Sequence, residues 1–240
     1  MISFIIPAHN EALWIGKCLG SIRASMEKLG EPYEVVVVDD ASTDATRQIA
    51  EGAGARAFRV QFRKVAAVRN AGAREARGEV FFFVDADTQV TEKAVAAALA
   101  VLRSGAAGGG CVFDFDGAIP LWAQIAHFAS CAVGRIVRCV GGSFLFCSRQ
   151  AYQAIGGFDE SFSVFEDIAF CQALKRVGRF TVPTPTVVTS SRKLGVVTFW
   201  EALRVMLKII ARGPRGDSEL ILDLVYGRRA QDCRKPDSAA

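Results

Sequence analysis

Four short apolar runs, each followed by a stretch of helical character, constrain this chain more than any other feature. They are ISFII before residues 12 to 28, EVVVV before 44 to 53, ARAFRV before 64 to 77, and EVFFFV before 92 to 103. A run that is apolar at every position, such as Val80 to Val84, leaves no solvent face and suits a strand buried on both sides. Strands alternating with helices in this way predict βαβ units and a mostly parallel central sheet flanked by helices, an α/β fold. Thr43 and Thr91 stand where helix N-caps belong, with Asp44 and Glu92 suited to the first turns behind them. Beyond residue 105 the rhythm changes. Three glycines (108 to 110) lead into CVFDFD, followed by an apolar helix around 119 to 137, a short strand SFLFC and a helix starting near Phe165. The expected organisation is one domain over residues 1–191, in halves 1–104 and 105–191. A helical extension (192–226) and a polar tail (227–240), expected to be disordered, complete the chain.

Charge and cysteine usage narrow the function classes. Residues 1–191 carry 19 Lys+Arg and 19 Asp+Glu, whereas residues 192–240 carry 10 and 6, so the net charge of +4 lies in the last fifth. That is no nucleic-acid footprint across the main domain. The seven cysteines lie mostly in apolar surroundings without any C-x-x-C, as expected of reduced thiols in a cytoplasmic protein. With only His9 and His127, a zinc site is not expected. MISFIIPAHNE lacks the basic region and long apolar core of a signal peptide, and no run reaches the roughly 18 apolar residues of a membrane span. Residues 196–212, VVTFWEALRVMLKIIAR, place Glu201, Arg204, Lys208 and Arg212 on one stripe of an otherwise apolar amphipathic helix. Such a face lies in a membrane interface, for instance at the inner surface of the membrane, or packs on the domain or on a partner subunit.

Polar groups collect where the strands end. PAHNE (7 to 11) follows the first, Asp39 and Asp40 close the second, and Asp85 and Asp87 follow the fourth. In open α/β sheets that edge is where ligands bind. Asp85 and Asp87, two residues apart on an extended chain, project the same way. Left beside an apolar core they repel one another, a cost that a hard cation such as Mg²⁺ relieves; a solvated turn before the next helix is the other reading. FDFDG repeats the spacing at Asp114 and Asp116. Receiver domains also gather aspartates at a sheet edge, but they leave residues 120–191 unexplained.

In order, PAHNE, VVVVDDASTDAT, AAVRNAGAREARGEVFFFVDADT and GGSFLFCSRQAYQAIGGFDESFSVFEDIAF resemble the signature of family 2 glycosyltransferases of the GT-A, Rossmann-like fold. The resemblance spans residues 2 to about 191. It implies an inverting transfer of a sugar from a nucleotide-diphosphate donor to an acceptor hydroxyl, saccharide or lipid-linked, assisted by Mn²⁺ or Mg²⁺. Pro7 and Ala8 would then line the base pocket and Asp40 would accept from base or ribose. Glu11 would belong to the donor loop or stabilise the following helix. Asp85 would contact ribose or metal-bound water, and Asp87 would bind the metal. Asp167, second acid of the E-D pair Glu166-Asp167, would be the base that takes the acceptor proton. Asp39 is expected to hold its own loop. Arg69 and Asn70 either face the diphosphate or cap and pack, and Gly141 and Gly142 either admit a sugar or make a turn. Relatives that carry a histidine or a Q-x-x-R-W motif downstream have no counterpart in TVVTSSRKLG, where Arg192 and Lys193 either meet the diphosphate or face solvent. A sugar-nucleotide pyrophosphorylase would need a G-x-G-x-R loop that PAHNE does not supply. The remaining alternative is a non-catalytic nucleotide-sugar-binding or scaffold protein of the same fold.

Overall fold

The computed structural model describes residues 1–162 and 164–192. The extension and tail expected over 192–226 and 227–240, including the amphipathic stretch 196–212, lie outside the described residues except for Arg192. The elements run β1 (Ile2–Ala8), α1 (Ile15–Leu29), β2 (Tyr33–Asp40), α2 (Thr46–Gly52), β3 (Arg56–Val60), α3 (Val65–Glu75), β4 (Val80–Val84), β5 (Thr88–Gln89) and α4 (Glu92–Arg103). They continue with β6 (Gly108–Gly110), β7 (Phe113–Phe115), α5 (Leu121–Val137), β8 (Phe144–Ser148), α6 (Arg149–Ile155), α7 (Glu166–Val177), β9 (Phe180–Thr181) and β10 (Val187–Thr189). A seven-stranded sheet has the order β3-β2-β1-β4-β8-β6-β9, and a second, three-stranded sheet the order β5-β10-β7. Strands β1 to β4 pair in parallel, as the alternating pattern predicts, while β8 enters antiparallel to both β4 and β6.

The three phenylalanines of β4 explain why that run has no polar position. Phe82 turns to one face, stacked on Phe4 with ring centroids 5.0 Å apart, in the core shared with α1 and α4. Phe81 and Phe83 turn to the other face, where Phe83 meets Phe158 at 4.9 Å and Phe170 at 5.7 Å beneath α6 and α7. Both faces are thus covered, the condition under which a strand dispenses with alternation.

Local details depart from the sequence reading where a side chain finds a tertiary partner. Thr91 caps α4, its Oγ1 accepting from the Ala94 N–H at 3.1 Å. Thr43 does not cap α2, because its N–H and hydroxyl both donate to Asn10 Oδ1, at 2.8 and 3.2 Å. The helix instead begins at Thr46 behind an uncapped Ala45, and Asp44 Oδ1, one residue earlier, accepts from the Thr46 N–H at 3.0 Å. The three glycines form a buried strand, β6. A Cβ on Gly109 would lie 2.1 Å from the Thr181 carbonyl oxygen and 2.4 Å from the Phe146 ring, so only glycine admits β8 and β9 so closely. The six described cysteines are free thiols.

This packing gives a paired expectation. Gly109→Ala should lose roughly 1–3 kcal/mol through overpacking. Gly20→Ala on α1, where an added Cβ meets nothing within 4 Å, should gain roughly 0.4–1 kcal/mol. Urea denaturation of the two variants checks both signs.

Candidate active site

Strands β2, β1 and β4 lie side by side and parallel, so their C-terminal ends and the loops behind them open on one edge. The cleft there is lined by Pro7, Ala8, Glu11, Asp40, Asp85 and Asp87, together with His9, Val65, Val68 and Ala86. All six residues expected to hold donor and metal therefore share one cavity. Asp167 stands at the N-terminus of α7 beside Glu166.

The loops after β1 and β2 hold each other. Asn10 N–H donates to Ser42 Oγ at 2.9 Å, Glu11 N–H to Thr46 Oγ1 at 2.7 Å and Ala12 N–H to Asp44 Oδ2 at 3.1 Å. His9 Nδ1 lies 2.6 Å from the Asp40 carbonyl oxygen. Asp39 accepts from the Ser42 N–H at 3.1 Å, the loop-holding role expected of it. Asp40 lines the cleft but is also a pin. Its two carboxylate oxygens accept from the N–H groups of Phe62 and Arg63 at 2.7 and 2.8 Å, and burial pushes its pKa up. Glu11 is not a first-turn acid of α1: the helix begins at Ile15 and has no acid in its first turn.

Two guanidinium groups divide the acids at this edge. Arg69, whose side chain is 3% exposed, donates to Asp85 Oδ1 at 2.9 Å, to Glu166 Oε1 at 3.1 Å and to the Gly142 carbonyl at 3.2 Å. It ties the first acid of D-x-D to the first acid of E-D. Gly142 is required for this: a Cβ there would stand 2.6 Å from Arg69 Nη2. Arg192 takes Glu11 at 2.6 and 2.7 Å and Asp87 at 3.1 Å, with its guanidinium 5.4 Å over the Trp14 ring. Asp87 Oδ1 also accepts from Thr189 Oγ1 at 3.5 Å. Asp167 accepts from the Ile168 N–H at 2.7 Å, and its Oδ2 lies 3.7 Å from where a Cβ on Gly141 would be. Burial raises the proton affinity of the Glu166–Asp167 pair, with Arg69 opposing.

Sequence reasoning left Arg69 and Asn70 open, and both serve the architecture. Asn70 Oδ1 accepts from Tyr152 Oη at 2.7 Å and the Phe158 N–H at 2.9 Å, and its Nδ2 donates to the Phe158 carbonyl and Glu160. This holds the GGFDE turn that leads to the E-D pair. Trp14 carried no motif signal and was missed. Arg192, weighed between diphosphate and solvent, instead bonds the acids themselves. The second D-x-D does not line the cleft: Asp114 accepts from Thr186 Oγ1 at 2.7 Å and Asp116 from the Ser191 N–H at 2.8 Å.

Comparison with known proteins bears on family and fold. Residues 3–182 match the profile of glycosyl transferase family 2. Validoxylamine A glucosyltransferase of Streptomyces hygroscopicus subsp. jinggangensis is 31% identical over 126 residues, which cover 48% of this chain and 29% of that protein. Undecaprenyl-phosphate 4-deoxy-4-formamido-L-arabinose transferase of Pseudomonas fluorescens is 34% identical over 96 residues, 37% of this chain and 28% of that protein. The match thus spans less than a third of either relative's length. Among solved structures, S. aureus TarS 1–349 in complex with UDP has a TM-score of 0.63 at 21% identity, covering 95% of this chain and 70% of that one. Mannosyltransferase PcManGT from Pyrobaculum calidifontis, in complex with GDP-Man and Mn²⁺, has a TM-score of 0.63 at 21% identity, covering 94% and 68%. These likenesses establish the GT-A fold. With strand-end acids at one cleft and the profile covering residues 3–182, the chain belongs to glycosyl transferase family 2.

Proposed function

We propose that the chain transfers a sugar, with inversion, from a nucleoside-diphosphate donor to an acceptor hydroxyl with the help of Mn²⁺ or Mg²⁺. The observation that carries this reading is the Arg69 bridge, which sets D-x-D and E-D at one edge of one sheet. Pro7, Ala8, Val65 and Val68 give the cleft an apolar wall suited to a nucleoside base, with Asp40 as acceptor for base or ribose and Asp85 for ribose or metal-bound water. Among the described residues no three His, Cys, Asp or Glu side chains form a ready cage for a metal. The donor set still fits a hard divalent ion, because such ions take one or two carboxylates and complete their shell with water and phosphate. Asp87 and Glu11 offer nearly inaccessible carboxylates to one cationic point. When bound, the ion stabilises the negative charge that gathers on the departing diphosphate.

Asp167 is assigned as base. The acceptor oxygen bonds to the anomeric carbon, its proton passes to the Asp167 carboxylate, and the bond from that carbon to the diphosphate oxygen breaks. Glu166 has its charge committed to Arg69, which leaves Asp167 for the proton. A pKa raised by burial suits a base, since it brings proton affinity toward working pH.

A lipid-linked acceptor is favoured by α5. Leu121, Ile125, Phe128 and Ile136 are 70%, 63%, 77% and 80% exposed. The single charged residue of α5, Arg135, donates to the Pro183 and Thr184 carbonyls. An uncharged apolar face of this kind suits a membrane interface, and the basic excess of residues 192–240 suits anionic lipid. No helix among the described residues is long and apolar enough to cross a membrane. This reading places the enzyme at the inner surface of the membrane.

Three outcomes are expected. Asp87→Ala should abolish Mn²⁺-dependent binding of UDP or GDP in calorimetry without unfolding the protein; unchanged affinity there with a loss in Asp116→Ala would move the site to the second D-x-D. Asp167→Asn should bind donor normally yet lose about 10²- to 10⁴-fold in kcat. The base works deprotonated, so kcat/KM in the wild type should rise with pH along a limb above the ordinary aspartate value of about 3.9, a limb absent from the variant. Full activity in Asp167→Asn would remove the assignment, and no transfer by the wild type with any donor would favour the non-catalytic alternative. Finally, the chain should co-sediment with phosphatidylglycerol vesicles, and Ile125→Glu with Phe128→Glu should weaken that binding; wild type left in the supernatant at low salt rules the lipid reading out.

A further inference from the structure

The three contacts of Arg192 with carboxylates all converge on one nitrogen. Nη2 lies 2.6 and 2.7 Å from the two oxygens of Glu11 and 3.1 Å from Asp87 Oδ2. That nitrogen carries two hydrogens and faces three oxygens, so the cluster is met as a point charge more than as a set of directed hydrogen bonds. The side chains of Glu11 and Asp87 are 3% and 4% exposed and that of Arg192 is 14% exposed, so water contributes little to their neutralisation. Arg192 brings one positive charge to two nearly inaccessible carboxylates and offsets their mutual repulsion and lost hydration.

We propose that Arg192 is the resident counter-cation of this site and gives up its place when a divalent ion binds. Donor loading is thereby coupled to the position of the Arg192 side chain. The inference rests on the metal-dependent reading above. A guanidinium and a divalent ion cannot both sit within about 3 Å of the same three oxygens, since their mutual repulsion in a poorly solvated site exceeds the gain of sharing them. The preceding residues are anchored: Ser191 N–H donates to Asp116, and β10 pairs with β5 and β7. The displaced part is therefore the Arg192 side chain rather than the strand before it. Among the described residues, Glu11 and Asp87 are the anions that hold Arg192, so leaving is opposed mainly by the carboxylates that the ion itself neutralises, with the Trp14 ring contact adding to them.

Calorimetric titration of the full chain with Mn²⁺ alone tests this. Arg192→Gln should bind Mn²⁺ about 5- to 150-fold more tightly than wild type, the range of a direct thermodynamic coupling. Lys17→Gln, which removes a charge from over the same Trp14 ring without touching the acids, should change affinity by less than about threefold. Arginine modification by phenylglyoxal, read by mass spectrometry on wild type, supplies the measurement that needs no variant. Residue 192 should gain reactivity at saturating Mn²⁺, and this measurement decides if Arg192→Gln does not fold. Unchanged reactivity at residue 192, or equal gains in affinity from Lys17→Gln and Arg192→Gln, overturns the displacement while leaving the metal site intact. Absence of Mn²⁺ binding in every protein, with UDP or GDP present as well, overturns the metal reading and the displacement together.

Discussion

The arrangement of the site depends on the buried Arg69. It reaches the interior from α3, and its two terminal nitrogens meet Asp85, Glu166 and the Gly142 carbonyl, which offset much of its lost hydration while its buried Nε has no hydrogen-bond partner among the described residues. Its carboxylate partners are Asp85, directly after β4, and Glu166, the first residue of α7, far apart in the chain. Pairing Arg69 therefore fixes how the C-terminal edge of the parallel strands meets the helix that carries the E-D pair. The packing beneath runs along the same line: the Arg69 guanidinium lies 5.2 Å from the Phe158 ring, which in turn stacks on Phe170 of α7 at 3.9 Å. Neighbouring Asn70 fastens the turn that contains Phe158. One turn of α3 thus governs both the charge balance and the position of α7.

Backbone strain recurs beside the acids of this edge. Asn10, Ala41, Arg63, Arg138 and Phe165 adopt left-handed conformations with φ between 50° and 63°, and the first, second and last of them adjoin Glu11, Asp40 and Glu166 of the candidate site. Non-glycine residues pay about 1–3 kcal/mol for such angles. The loops that adopt them are tied by side-chain bonds from Ser42, Thr46, Asp44 and Asp40, so the acids are aimed before any ligand arrives. Under the proposed transfer that order supplies preorganisation, because dipoles already in place cost nothing to turn during the reaction.

Much of this was legible in the amino-acid sequence, for identifiable reasons. The parallel strands announced themselves through runs such as VFFFV, where burial on both faces erases alternation, and the position of the strand-end acids came from where such strands open. The triple glycine was opaque because a glycine strand has no side chains to show a period; its role emerges only from the close approach of Phe146 and Thr181. The antiparallel direction of β8 left no trace either, since hydrophobicity does not encode strand sense. Thr43 obeyed a local rule that Asn10, 33 residues away, overrode. Arg69 and Arg192 sat in plain view, yet the choice between phosphate and carboxylate partners is made by tertiary distance.

Strand β4 has a consequence for how the protein tolerates change in length. Its consecutive side chains belong alternately to two separate cores, and its last residue hands directly to Asp85. Loss or gain of one residue inside the strand would send each phenylalanine to the opposite core and move both aspartates off their cations at once. A one-residue shift there therefore strains the two cores and the acid pair together unless a bulge absorbs it, so folding itself opposes insertions and deletions along this stretch, independently of the chemistry at its end.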